Sequence, residues 1–343
     1  MNSSPYSSSQ NADPSRSTRR RPRITVIGSL NMDLVTVTDI IPQAGETVQG
    51  LKFGTFCGGK GANQAVAAAR LGAEVHMIGC VGNDSFGAEM LRNLQREGIN
   101  CEGVSAISNV SSGIAAITIA DGDNRIIVVP GANEAVTNEL VTQHSSLIAE
   151  SDLVVLQLEI PLESVRTAID IANRHHIPVM LNPAPAVQLD PPLLDKISWV
   201  TPNEHELELM LGAPATVQTQ LDKDQSTLSE DQFVHTDDLY YGMLQQLPGK
   251  VIMTKGSEGA YWCSADGTVY HSPGRKVEVA DTTGAGDTFN GALAVALAEK
   301  RSTDQAIAWA VAAGALSVTR FGAQSGMPTR EQLDNWLTSN TSE

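Results

Sequence analysis

Asp281-Thr-Thr-Gly-Ala-Gly-Asp-Thr-Phe-Asn-Gly291 is the stretch that decides how this chain is read. It follows a strand-like run at 276–280 and opens a run of small residues at 292–298 with helical character. Gly284 and Gly286 let the backbone turn tightly and approach a ligand with no Cβ in the way. The unpaired N–H groups of the helix that follows point out of its N-terminus, where the macrodipole favours an anion. Asp287 falls in that first turn. A carboxylate there can take a proton from a hydroxyl while neighbouring amides stabilise a transferring phosphoryl group. Taken alone, the same residues suit a turn with an N-terminal cap equally well.

The surrounding chain has 343 residues, enough for a large core in one domain or two. With 41% hydrophobic and 18% charged residues it has the composition of a soluble globular protein. A net charge of −16 makes duplex nucleic acid and anionic membranes poor partners for the surface as a whole. A phosphorylated ligand would therefore need a local site built from amides, a lysine or a metal ion. The basic cluster Arg19, Arg20, Arg21 and Arg23 lies near the N-terminus, and residues 1–21 are expected to be a disordered tail. Cys57, Cys80, Cys101 and Cys263 form no C-x-x-C pair, which points to reduced thiols and a cytoplasmic setting. The apolar run at 306–318 is shorter than the ~20 residues a bilayer span needs, so no membrane helix is expected.

Order begins at 23–28, a short apolar run ending in glycine, expected as a buried first strand. Asn31 and Asp33 follow at its carboxyl end, where open α/β sheets collect ligands. Runs at 34–38, 45–56, 113–120 and 125–130 have the character of half-exposed strands, the last two joined by a hairpin at 121–124. Together they predict a small antiparallel sheet set apart from the main one, with lid strands spanning about 34–56 and 113–130. The remainder alternates strand and helix in the parallel α/β manner, giving one domain over 22–339. Residues 214–238 are polar and suggest a surface insertion with some helix.

Further residues carry possible chemistry. Gly58-Gly-Lys-Gly-Ala-Asn-Gln64 is a second glycine-rich turn opening a helix, in which amides and the Lys60 ammonium can meet a polyhydroxy or phosphorylated ligand. It lacks the G-x-x-x-x-G-K-[ST] spacing of a Walker A loop, and its plainer reading is a hairpin end capped by glycines. Asn31 and Asp33 offer an amide and a carboxylate that can clamp vicinal hydroxyls, though N-x-D equally suits an Asx turn. Glu159 ends the apolar strand at 153–158, as a ligand contact or as a solvated helix cap. Asn203 and Glu206 have the spacing of a capping box, and the same spacing can hold the water shell of Mg²⁺. Thr254-Lys-Gly-Ser-Glu-Gly259 suggests a nucleotide wall.

These motifs resemble the ribokinase/PfkB family of carbohydrate kinases. G-S-L-N-M-D at 28–33, G-G-K-G-A-N-Q-A-V-A-A-A at 58–69 and D-T-T-G-A-G-D-T-F-N-G at 281–291 carry the likeness. L-N-P-A-P-A at 181–186, T-P-N-E at 201–204 and G-A-Q at 322–324 point to the family's ribose-phosphorylating members. The match runs in the family's order from about residue 24 to 337. It implies a three-layer α/β/α sandwich with a small β-sheet lid, and ATP-dependent phosphorylation of D-ribose at O5.

The resemblance also implies roles. Asp287 would be the base, and the amides of Gly284, Ala285 and Gly286 the anion hole. Asn31, Asp33, Gly59, Lys60, Gly61, Ala62, Asn63 and Glu159 would bind the sugar. ATP would lie against Asn203, Thr254, Lys255, Gly256, Ser257, Glu258, Gly259, Gly286 and Ala312. Glu206 would face Mg²⁺ through water, and K⁺ would sit among Asp281, Thr283, Ser317, Arg320, Gly322 and Gly326. The chain departs from the family at 325–326, where Ser-Gly replaces Pro-Ser, and at Ala312, where His or Asn is common. The exposed edges of the lid predict a homodimer. Another pentose or nucleoside kinase of the same superfamily, and a catalytically silent sugar-binding sensor, are the alternative readings.

Overall fold

The computed structural model describes residues 20–120, 123–212 and 236–340. The expected tail lies outside these residues except for its last two: Arg20 pairs with Asp152 at 2.8 Å, and Arg21 donates to the carbonyls of Gly72 and Ala73, so both belong to the domain. The hairpin residues 121–122 and most of the 214–238 insertion also lie outside.

The strands, in chain order, are β1 (Arg23–Ile27), β2 (Asn31–Thr38), β3 (Gly50–Gly58), β4 (Glu74–Gly82), β5 (Asn100–Ile107), β6 (Gly113–Ala120) and β7 (Asp123–Val129). They continue with β8 (Leu153–Leu156), β9 (Val179–Leu181), β10 (Trp199–Val200), β11 (Ile252–Thr254), β12 (Gly259–Cys263) and β13 (Val269–Pro273). A parallel six-stranded sheet in the order β10-β9-β8-β1-β4-β5 forms the middle layer. Bridges from Val200 to Val251 and from Asn203 to Thr254 continue it into the antiparallel set β11-β12-β13.

Helices cover both faces, so the central strands are mostly apolar, and β8 is so throughout. In β8, Leu153 and Val155 enter one core while Val154 and Leu156 enter the other. The first core is closed by the helices Lys60–Arg70, Ala285–Ala298 and Thr303–Ser317, which are rich in alanine. Small side chains let these helices approach closely. A Cβ at Gly291 would lie 2.5 Å from the Ala67 Cβ. The second core is closed chiefly by the helix Leu162–Arg174.

The four half-exposed runs do form a separate sheet, in the order β3-β2-β6-β7. Its outer pairs are antiparallel as expected, but β2 and β6 run parallel. The reason is topological: β2 rises directly from β1 and β6 from β5, and those two strands point the same way in the main sheet. Two boundaries shift in a way that matters for the site. β2 begins at Asn31 rather than 34, and the glycine loop at 58–64 is already helical from Lys60.

The run at 276–280 is not a strand. β13 ends at Pro273, and Val279 is 58% exposed with no strand beside it. The N–H groups of Ala280 and Asp281 bond instead to the Val318 carbonyl, at 2.8 and 3.2 Å. Alternation there is genuine, but no neighbouring edge is available to pair with it. Among the described residues, no helix is long and apolar enough to cross a membrane.

Candidate active site

The carboxyl ends of β1 and β8, the starts of the helices Lys60–Arg70 and Ala285–Ala298, and the root of the lid sheet meet at one place. Gly284 caps the second of these helices with φ 76°, the left-handed region that glycine enters without strain. A Cβ at Gly286 would meet nothing within 4 Å, so the space over that turn is open. The Ala285 N–H is engaged by the Thr282 carbonyl at 3.2 Å. The N–H groups of Gly284 and Gly286 have no hydrogen-bond partner among the described residues. Asp287, one residue further on, accepts from Asn63 Nδ2 at 2.9 Å and from Gln64 Nε2 at 3.1 Å. Burial pushes its carboxyl above the usual range; Lys60 and the two amides oppose that shift, and Glu159 adds to it.

The glycine loop lies directly on the segment after β1. A Cβ at Gly59, whose φ is 89°, would stand 2.7 Å from the Asn31 nitrogen, and one at Gly61 would stand 2.6 Å from the Ser29 nitrogen. This contact brings Asn31, Asp33, Lys60 and Asn63 together with Asp287. Glu159 joins them, accepting from Ser29 Oγ at 2.5 Å and from the Lys60 N–H at 3.2 Å. The Asp33 carboxyl is pushed up to about 7, first by burial and then by Glu159 and Asp287. Burial pulls the Lys60 ammonium down, yet Asp287, Glu159 and Glu206 together hold it above its ordinary value. The site is thus a half-buried group of carboxylates arranged around one lysine. Ala62 lies buried in the first turn of its helix.

Sequence reasoning missed several residues here. Asn133, on the short 3₁₀ turn Gly131–Ala135, donates to Asn31 Oδ1 at 2.7 Å and accepts from the Leu30 N–H at 2.9 Å. Gly113 leaves room for this contact, because a Cβ there would lie 2.3 Å from both side chains. Nothing in the local sequence marks Asn133. Gln64 was at hand as the last residue of the glycine motif. Gln157 and Asn182, which lie behind it, stand at the ends of buried strands.

On the far side of Asp287, Asn203 and Glu206 form a full capping box, with bonds of 2.8 and 2.9 Å. One Glu206 oxygen is therefore committed to the helix start. Burial raises the Glu206 carboxyl, against the Asn203 N–H, Lys60 and His205. The bridge from Asn203 to Thr254 sets this cap beside the 254–259 loop. In that loop Lys255 pairs with Glu258 at 3.1 Å, and its ammonium lies 5.8 Å from the Tyr261 ring centre. A Cβ at Gly256 would meet nothing within 4 Å, which leaves open space above Gly256 and Ser257. Gly259 turns the chain at φ 101°. Ala312 offers packing alone: it is wholly buried in the first core and presents no surface to a ligand.

Behind the Gly284 turn, the remaining oxygen donors converge. Asp281 Oδ1 accepts from Thr283 N and Oγ1, at 2.9 and 2.6 Å, and Oδ2 accepts from Gly322 N at 2.8 Å. A Cβ at Gly326 would lie 2.2 Å from the Ser317 carbonyl oxygen and 3.4 Å from that of Arg320. Glycine at 326 thus lets those carbonyls close in. Among the described residues there is no cluster of three or more His, Cys, Asp or Glu side chains suited to a metal. This place is made instead of one carboxylate, that of Asp281, with carbonyl and hydroxyl oxygens around it.

Residues 21–330 match the model of the pfkB family carbohydrate kinases. A ribokinase of Bacillus subtilis (strain 168) is 42% identical over 314 residues, covering 92% of this chain and 99% of that protein. A deoxyribokinase of Salmonella typhi is 38% identical over 319 residues, with coverage of 92% and 99%. Among solved structures, the Arabidopsis thaliana ribokinase complexed with ribose and ATP is similar at a TM-score of 0.79. It is 30% identical, and the likeness covers 93% of this chain and 99% of that one.

Proposed function

This chain belongs to the pfkB family of carbohydrate kinases, and we propose that it transfers the γ-phosphoryl group of ATP to O5 of D-ribose, giving D-ribose 5-phosphate. One arrangement carries the reading: Asp287 stands between the polar group Asn31, Asp33, Asn63 and Glu159 and the open amide turn at Gly284–Gly286. A sugar hydroxyl presented from the first side would face an incoming phosphoryl group on the second.

A free hydroxyl is a weak nucleophile at neutral pH. Asp287 accepts its proton late, as the O–P bond forms and the bond to the ADP oxygen breaks. The amides of Gly284 and Gly286 receive the developing negative charge, and that of Ala285 joins them when its turn bond to Thr282 opens. Lys60 balances the charge of Asp287, Glu159 and Glu206 during the transfer. ATP lies along Thr254 to Gly259, beside Asn203.

The donor sets suit two cations. Glu206 has one oxygen outside its cap, a fit for Mg²⁺, which keeps most of its waters and would neutralise the polyphosphate. The oxygens of Asp281, Thr283, Ser317, Arg320, Gly322 and Gly326 suit K⁺, whose charge would support the neighbouring anion turn. A homodimer through the lid completes the reading. β7 is an edge strand, and Ile126, Ile127, Val128 and Val129 are 52, 70, 47 and 44% exposed, so apolar side chains stand on both faces of it. One face can cover a sugar; the other suits a second copy.

The similarity to a deoxyribokinase favours 2-deoxyribose as a second acceptor, whereas the Asn31 and Asp33 pair favours a sugar with vicinal hydroxyls. ADP release measured with ribose, 2-deoxyribose, other pentoses and nucleosides, with and without K⁺, decides between them. The highest kcat/KM is expected for ribose with K⁺. Ribose binding with no ADP release would reject the kinase reading for a sensor.

A further inference from the structure

Behind Asp287 lies a chain of buried side-chain amides that the proposed ligand contacts do not use. Gln64 is 1% exposed and Gln157 is wholly buried. Gln64 Nε2 spends one hydrogen on Asp287 Oδ1 and the other on Asn182 Oδ1, each at 3.1 Å. Gln64 Oε1 accepts from Gln157 Nε2 at 2.7 Å, and Asn182 donates to the Thr201 carbonyl at 3.0 Å.

The polarity of this chain is forced. An ionised carboxylate only accepts, so Gln64 turns its NH₂ toward Asp287 and its oxygen toward Gln157. Gln157 must then donate, and its own Oε1 is left buried with no hydrogen-bond partner among the described residues. Gly28 makes space for that oxygen, since a Cβ there would stand 2.0 Å from it. An unpaired buried acceptor lowers stability, and a native structure keeps one for a reason. Asn63 is different: it holds Asp287 Oδ2 but also lies among the proposed sugar contacts, with Gln324 Nε2 on its Oδ1 at 3.0 Å. Gln64 has no surface and no hydrogen left for a ligand.

We propose that Gln64, clamped by Gln157, is a positioning residue that fixes the plane of the Asp287 carboxylate and keeps it ionised. It thereby sets the lone pair that receives the hydroxyl proton. This rests on the reading of Asp287 as the base. The charged groups facing Asp287 from the other elements are Lys60, Glu159, Asp33 and Glu206, so the Gln64 amide adds to a field already divided in sign.

The test compares Gln157→Met and Gln64→Met in the full chain. Gln157→Met removes the clamp and its unpaired acceptor but leaves Gln64 Oε1 without a donor in the same buried place, so one unpaired acceptor replaces another. Its unfolding midpoint in urea should stay near that of the wild type, while kcat falls about 10- to 100-fold through misplacement of the base. KM for ribose should stay within about twofold, the pattern of a lost transition-state interaction, and the acid limb of kcat should move to higher pH. Gln64→Met should show the same split more strongly. A folded Gln157→Met protein with wild-type kcat and acid limb would overturn the proposal, as would losses of stability and kcat with the acid limb unmoved. Titration of the Asp287 carboxyl by ¹³C NMR in the ligand-free protein, assigned by its absence in Asp287→Asn, needs no turnover. An upward shift of its midpoint in Gln157→Met supports the clamp, and an unchanged midpoint rejects it. If the wild type turns over no sugar at all, the kinase reading falls while this titration still decides the positioning role.

Discussion

Gly291 and Ala67 are the contact that sets the distance between Asp287 and the Asn63 and Gln64 amides that hold it. A Cβ on Gly291 would come within 2.5 Å of the Ala67 Cβ, 2.9 Å of the Gln64 carbonyl oxygen and 3.0 Å of the Ala68 nitrogen. Two of those three atoms are backbone and cannot swing away. Asp287 lies one turn earlier on the helix that carries Gly291, and Asn63 and Gln64 lie one turn earlier on the helix that carries Ala67. In an open helix, Gly→Ala gains about 1 kcal/mol. Here overpacking, at about 1–3 kcal/mol, outweighs it. Gly291→Ala should lower the stability read by urea unfolding and force the helices apart. Because the bonds of 2.9 and 3.1 Å to Asp287 then lengthen, kcat should fall by about 10–100-fold. Wild-type stability in this variant would show that the helices slide without cost.

Asp287→Asn tests the base directly. The new amide would bring either its oxygen or its NH₂ to each of two donors, so one of the two bonds becomes a donor facing a donor. Proton acceptance is lost in either orientation. A fall in kcat of about 10²–10⁴ is expected, with ribose binding by calorimetry retained. A near-normal kcat would remove Asp287 from the role.

The sequence carries this site unevenly. The glycines at 59, 61 and 284 are legible because a backbone that must approach another backbone excludes every side chain, and such turns sit beside the helices they open; that at 286 instead leaves the space over its turn open. The layers are legible for a similar reason, since β8 is apolar on both faces. Asn133 is not legible: its bond to Asn31 spans 102 residues, and a polar residue in a short turn carries no mark of what it will face. The same holds for the parallel β2–β6 pair, whose direction follows from where two other strands end. The alternation at 276–280 misled because period-2 patterning describes a face and says nothing of whether a partner edge exists.

Asp33 makes stability depend on pH. Its carboxyl is raised from 3.8 to about 7 in the folded protein, so the folded state binds that proton more tightly than the unfolded chain does. The stabilisation from the proton is therefore fully present below the unfolded value and is lost as pH rises through about 7. Asp33→Asn removes the buried charge. The ligand-free variant should be more stable than the wild type at pH 8 by about 1–3 kcal/mol, the cost of holding a charge where solvent still partly screens it. The difference should shrink toward zero below pH 4. Urea midpoints at pH 4, 6 and 8 check this, and a gap that does not change with pH would refute it. On the proposed reading, sugar affinity should drop in the same variant, because a carboxylate that could accept from two hydroxyls has become an amide.

Asn133→Ala should act on the sugar side alone. It leaves the Leu30 N–H without its acceptor in a buried place and frees the Asn31 amide, which now lies 2.7 Å from its donor. Each stranded group costs about 1–3 kcal/mol. KM for ribose should rise while KM for ATP stays near that of the wild type. Equal changes in both constants would mean that the 3₁₀ turn supports the whole fold rather than the orientation of Asn31.

The lid yields the last prediction. Along β7, side chains alternate, so Ile127 and Val129 share one face while Ile126 and Val128 share the other. On the opposite edge of the same sheet, Leu51 and Phe53 of β3 are 59% and 69% exposed. A sheet with apolar residues at both edges and on both faces of one edge strand cannot satisfy them with a single ligand. Pairing with a second copy would bury the outward face and complete the edge hydrogen bonds. Ile127→Lys puts a charge, on a long side chain, at the most exposed apolar position of β7. At micromolar concentration, light scattering should give twice the chain mass for the wild type and the single-chain mass for the variant. The fold itself should be unchanged, since Ile127 contributes nothing to either buried core. A lid that has lost its partner should close less well over the sugar, so kcat/KM for ribose should fall while the variant's urea midpoint holds. A wild type that scatters as a single chain would reject the dimer, and with it this account of the apolar lid.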